Sequence, residues 1–65
     1  MSIDKTQAER VDQLLHDAER AFRGYEMAQR MNDVDNAGKL LLKAARLFEE
    51  ALAIDPEGQS FAWFQ

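Results

Sequence analysis

His16 is the single imidazole of this 65-residue chain, with Asp12 four residues before it and Arg20 four after. On a helix that spacing sets carboxylate, imidazole and guanidinium on one strip, where the acid tunes the titration of the histidine. A zinc or di-iron centre needs three or four ligands, and the chain has no second His, no Cys and no Glu-x-x-His. Ser2 and Ser60 are the only serines, both near chain ends with no partner base close in sequence, so no activated nucleophile is assembled. Gly24, Gly38 and Gly58 stand alone and make no phosphate-cradling loop. Asp33-x-Asp35 resembles the start of a calcium loop but lacks the later oxygen ligands, and it reads as a turn and cap. These side chains argue against an enzyme, and no metal or cofactor is expected.

Composition narrows the class further. The absence of cysteine excludes a disulfide scaffold and a thiolate site together. Eight basic against twelve acidic residues give a net charge of −4, the wrong sign for a nucleic-acid binder. Arg20, Arg23 and Arg30 form no phosphate-binding strip, because Asp17, Glu19 and Glu26 interrupt them. An apolar fraction of 46% is that of a globular chain. No apolar run approaches the roughly 20 residues that span a bilayer, and Met1–Lys5 lacks the apolar core of a signal peptide. The expectation is one small, acidic helical domain over residues 1–65, of cytoplasmic type, with neither membrane nor nucleic acid as partner. All eight basic side chains fall within residues 1–46, whereas 47–65 hold Glu49, Glu50, Asp55 and Glu57 unopposed. That asymmetry favours a basic or mixed partner surface.

Helical periodicity supplies the elements. Thr6-x-x-Glu9 has capping-box spacing. After it Val11, Leu14, Ala18, Ala21, Tyr25 and Ala28 recur at steps of three and four, widened by Leu15 and Phe22. Gly24 interrupts this helix at a cost of about 1 kcal/mol relative to Ala, which a close helix neighbour would explain. Asn32–Asn36 is rich in turn formers, and Asp35 or Asn36 is the natural cap of a second helix. Its stripe is Ala37, Leu40, Leu41, Ala44, Leu47, Phe48, Ala51 and Ile54, and it stops at Asp55-Pro56, where proline cannot continue a helix. The fold class expected is therefore all-α: an antiparallel two-helix hairpin, about 6–31 and 36–54, with a short third C-terminal element.

Apolar surface is left over. Leu42, Ala45 and Leu52 lie off the main stripe of the second helix, and Phe61, Trp63 and Phe64 crowd the tail. A hairpin covers only one side of itself, so either the tail folds over Leu42 and Leu52 or another chain supplies the missing layer. Met27 and Met31 near the turn are adaptable packing residues.

The run Ala44–Pro56, with Ala44, Phe48, Ala51 and Pro56 in place, resembles the second helix of a tetratricopeptide repeat. In that family the alanines admit the paired helix, the phenylalanine fills the groove and the proline ends the helix. Asp55-Pro56 followed by Ala62-Trp63-Phe64 is similar to the opening of a next repeat. The first helix departs from the pattern, since the family's Trp, Leu, Gly and Tyr positions fall on Ala28, Met31, Asn32 and Asp35. Microtubule-interacting-and-trafficking domains, three-helix adaptors, look similar at the same level. The resemblance implies a non-enzymatic adaptor or small chaperone-like subunit. From the unburied face of the second helix and the tail, the expected contacts are Leu42, Leu52, Phe61, Trp63 and Phe64, with Glu49, Glu50 and Glu57 as an acidic rim. The expected partner is a helix, a helical repeat or a second copy, and the alternative reading is a self-assembling structural hairpin forming a homo-oligomer.

Overall fold

The computed structural model describes residues 3–63. Two helices, α1 (Lys5–Arg30) and α2 (Val34–Ile54), fold back on one another, and a 3₁₀ turn (Gln59–Trp63) follows. This is the all-α antiparallel hairpin with a short third element that periodicity requires.

The helix ends differ from the sequence reading in an instructive way. Helix α1 begins at an Asp4 cap rather than at Thr6: the Asp4 carboxylate accepts from the Gln7 amide at 2.7 Å, and Gln7 Nε2's companion Oε1 accepts from the Asp4 amide at 3.1 Å. This is the same reciprocal box, shifted two residues upstream, with a charged acceptor in place of a hydroxyl. Met31 closes the helix, and Asn32 follows it in the left-handed region at φ 58°. The Asn32 amide donates to the Gln29 carbonyl at 3.1 Å and the Asp33 amide to the Ala28 carbonyl at 2.8 Å. That pair of bonds satisfies carbonyls the helix end would leave orphaned. Asp33, not Asp35 or Asn36, then caps α2, and its Oδ2 accepts from the Asn36 side-chain amide at 2.6 Å. One αL residue thus hands the chain from one helix to the next, so the connection needs only three residues.

The helices meet along small side chains. Ala8, Val11, Leu14, Ala18, Ala21 and Ala28 of α1 are buried, and on α2 the buried residues are Ala37, Ala44 and Ala51, seven apart. Leu40, Leu47 and Ile54 fill the intervening positions and are half-buried. The seam on each helix is a heptad pattern, so every second turn of α2 offers an alanine and its partner comes close. Leu14, 2% exposed, is the largest side chain fully enclosed, and it packs with Val11 and Ala51. The expectation for Gly24 is met: a Cβ there would stand 3.1 Å from Leu40 Cδ1.

Gly38, by contrast, has nothing within 4 Å of a would-be Cβ. Gly38→Ala is therefore expected to raise the unfolding free energy by about 0.5–1 kcal/mol, the helix-propensity gain. Gly24→Ala should gain clearly less, because Leu40 must yield. Urea denaturation of both variants at low protein concentration checks this; equal gains would contradict the close contact.

Candidate protein-interaction face

The flanks of the core seam are unlike. On one side, the positions just before the core residues are charged: Lys39, Lys43, Arg46 and Glu50 on α2 lie alongside Arg10, Asp17 and Arg20 on α1. Arg10 Nη2 reaches Glu50 Oε2 at 3.9 Å across the two helices, which fixes these flanks on one face of the hairpin. On the other side, the positions just after the core residues are apolar along α2, whereas on α1 only two of them are, the others being Glu9, Asp12, Glu19 and Gln29. The apolar ones comprise Leu41, Ala45, Phe48 and Leu52 on α2 and Leu15 and Phe22 on α1. Leu15, Phe48, Leu52 and Phe61 line one open groove together with Val11 and Ala51. Phe22 extends this face toward the turn and stacks tilted on Tyr25, the ring centres 5.6 Å apart. Exposure is high for residues of this type: Leu41 42%, Leu42 53%, Phe48 42% and Leu52 60%. Monomeric proteins seldom leave so continuous an apolar strip open to water.

The structure sorts the residues anticipated from sequence into three groups. Leu52 and Phe61 share the groove; Leu42 is exposed but does not line it, lying about a quarter-turn round α2 from the Leu41–Leu52 row. Trp63 does not join them: its indole N–H donates to the Ile3 carbonyl at 3.3 Å. Glu50 lies on the charged face, 3.9 Å from Arg10, whereas Glu49 and Glu57 are exposed, the latter accepting from Gln59 Nε2 at 3.1 Å. Phe64 lies outside the described residues. Phe48, which the repeat resemblance would place deep in the groove between paired helices, stands at the rim of the open face. Leu15, Phe22 and Leu41 belong to the face although none was singled out as a contact. Their signal was their place one residue after each core position, read on both helices at once.

The tail folds back, but not over Leu42 and Leu52. It packs against the start of α1 instead, where the Ile3 amide donates to Gln59 Oε1 at 3.0 Å. The cause is Asp55, a buried carboxylate at the end of α2. Its Oδ1 accepts from the Gln59 amide and its Oδ2 from the Ser60 amide, each at 2.7 Å. Gly58, at φ 73°, makes the reversal that brings those amides round. Removal from water pushes the Asp55 carboxyl up, but the hydrogen bonds from Ser60, Gln59 and Gly58 together hold it below the usual carboxylate range. Once so tied, five residues of 3₁₀ helix cannot reach Leu42, more than two turns up α2.

His16 Nδ1 lies 2.8 Å from the Asp12 carbonyl oxygen and 3.5 Å from Asp12 Oδ1. The backbone hydrogen bond, then the Asp12 charge, raises its pKa, and its neighbours in the same shallow depression are Glu19, Arg20 and Arg23. Among the described residues, no three His, Cys, Asp or Glu side chains gather where they could hold a metal ion. No helix among them is long and apolar enough to cross a membrane. Comparison with protein-family models, with curated proteins and with solved structures gives no match for this chain.

The Asp55 turn has a pH signature. A carboxyl held below its unfolded value adds stability that is complete above that value, about 3.9, and is lost as pH falls through the folded one. Trp63 fluorescence should therefore change on acidification below about pH 4, and Asp55→Asn should show the released-tail signal already at neutral pH. An Asp55→Asn protein whose Trp63 emission matches the parent would contradict this coupling.

Proposed function

We propose that the protein is a non-enzymatic protein-interaction module that docks a helix or a helical hairpin on the apolar face of α2. The observation that carries this reading is the contiguous strip Leu41, Phe48 and Leu52, flanked by Leu15 and Phe22, left open after the hairpin has closed its own core. Each such side chain contributes about 1.5–3 kcal/mol when fully removed from water, so covering three or four of them is enough to drive association at useful concentrations. Helix-in-groove docking suits the shape, because the strip runs along a helix at three- and four-residue steps. Glu49 beside it, and the acidic excess of the open end, favour a partner that brings basic side chains to that end.

The resemblance of Ala44–Pro56 to a tetratricopeptide helix fits this use, since such helices pair through small residues and present a face to a neighbour. It supports adaptor or chaperone-subunit roles over structural ones, and the homo-oligomeric alternative uses the same face.

The double variant Phe48→Asp/Leu52→Asp tests the reading, because both side chains are exposed and their loss leaves the alanine seam intact. Sedimentation would be followed for the purified protein and for the same protein in an extract of its own host. The parent should sediment as an assembly in at least one setting, and the double variant as a helical 7.5 kDa monomer in both. A parent that is monomeric in both, or a variant that assembles unchanged, would refute the docking face.

A further inference from the structure

We infer that the occupant of this face is a second copy of the same chain, its α2 lying antiparallel on α2 about a twofold axis near Lys43. The inference rests on the docking face proposed above and names its partner.

Size complementarity gives the first support. The exposed seam of α2 reads Val34, Gly38, Leu41, Ala45, Phe48 and Leu52, at alternating steps of four and three. In an antiparallel pair centred on residue 43, Val34 meets Leu52, Gly38 meets Phe48 and Leu41 meets Ala45. Bulky residues then face the smallest ones, as interdigitating knobs require. Gly38 acquires a purpose in this register: it is the socket for the Phe48 ring, which explains an exposed mid-helix glycine with empty space above it. A parallel pair would set Phe48 on Phe48 and leave voids at Gly38 and Ala45.

Charge gives the second. The contacts of Arg10 with Glu50 and of Gly24 with Leu40 set the hairpin register, so that Lys43 stands level with about residue 20 of α1. Residues 20–43, the turn half, hold five basic and three acidic side chains, a net of +2. The remaining residues hold three basic and nine acidic, a net of −6, which together give the −4 of the chain. Antiparallel pairing lays the acidic open half of one copy on the basic turn half of the other, whereas parallel pairing joins two acidic ends. Asp35 and Glu49 lie at the outer edge of the pair, and each has a basic side chain within one turn of its own helix, Lys39 and Arg46.

Area is sufficient. A helix of 21 residues is about 30 Å long, and the hairpin is 20 Å wide. The face therefore offers about 600 Å² per copy, about 1,200 Å² in the pair, within the range of specific interfaces. Leu15 and Phe22 of α1 fall inside that footprint, so the assembly is a four-helix bundle made of two hairpins.

The chain has no cysteine, so single-cysteine variants report proximity without background. Val34→Cys and Leu52→Cys alter exposed positions, and far-UV circular dichroism checks that each folds. On mild oxidation Val34→Cys and Leu52→Cys, which meet across the axis, should each stay unlinked alone and become linked when mixed. In parallel, Gly38→Leu should keep or raise the helicity and stability of the dilute monomer while weakening self-association about tenfold or more by filling the Phe48 socket. Self-linking of Val34→Cys or Leu52→Cys alone, no linking when the two are mixed, or undiminished association of Gly38→Leu would each overturn the antiparallel register. A purified parent that stays monomeric at high concentration overturns self-pairing altogether, and leaves the docking face itself to be judged by its assembly in host extract.

Discussion

Everything in this molecule follows from the close approach of two helices along a row of alanines. Ala37, Ala44 and Ala51 recur once per heptad on α2 and face Ala18 and Ala21 among others on α1, with larger residues only at the intervening positions. Small side chains shorten the distance between the backbones, and Gly24 shortens it further by giving Leu40 a seat. A core so thin contains little apolar volume. Only Leu14 among the large side chains is fully enclosed, and a chain of this length is hard to stabilise on its own.

The thin core determines what the rest of the sequence does. Leucines and phenylalanines that a thicker core would absorb are displaced to its flank, where Leu41, Phe48, Leu52, Leu15 and Phe22 form one open apolar face. The opposite flank takes Lys39, Lys43 and Arg46, which keep that side in water. The tail cannot relieve the exposure, because Asp55 binds the amides of Gln59 and Ser60 and turns the chain toward the start of α1. Local hydrogen bonding at a helix end therefore keeps the docking face free. In the interaction reading, the same economy that weakens the lone hairpin supplies the driving force for its association.

The helices and their antiparallel packing were legible in the sequence because a three-four stripe on each segment admits no other arrangement, and because turn formers and Pro56 mark the breaks. The first cap lies two residues before the expected Thr6, since Asp4 with Gln7 and Thr6 with Glu9 satisfy the same spacing rule and only geometry chooses between them; the second, Asp33, lies two or three residues before the expected Asp35 or Asn36. The surplus apolar face was legible on α2 but less so on α1: Leu15 widens the core stripe as its spacing implies, packing against Val11, Leu14 and Ala51 while also lining the groove, whereas Phe22 is exposed. Trp63 was read as a contact because aromatic tails suit interfaces. Its bond to the Ile3 carbonyl spans nearly the whole chain and leaves no trace in local pattern. Asp55 gave no sign of its role beyond the proline after it, since the bonds to Gln59 and Ser60 depend on the left-handed turn at Gly58.

The most direct test of the account is the stability of Ala44→Leu, measured by urea denaturation at a concentration where the protein is monomeric. Ala44 is 2% exposed at the middle of the seam, and leucine is an equally good helix former, so propensity contributes almost nothing. If close approach along the alanines holds the hairpin together, the added bulk forces the helices apart and lowers the unfolding free energy by about 1–3 kcal/mol. An unchanged or increased stability would mean that the helices have room to spare at Ala44, and would contradict the constraint on which this structure is built.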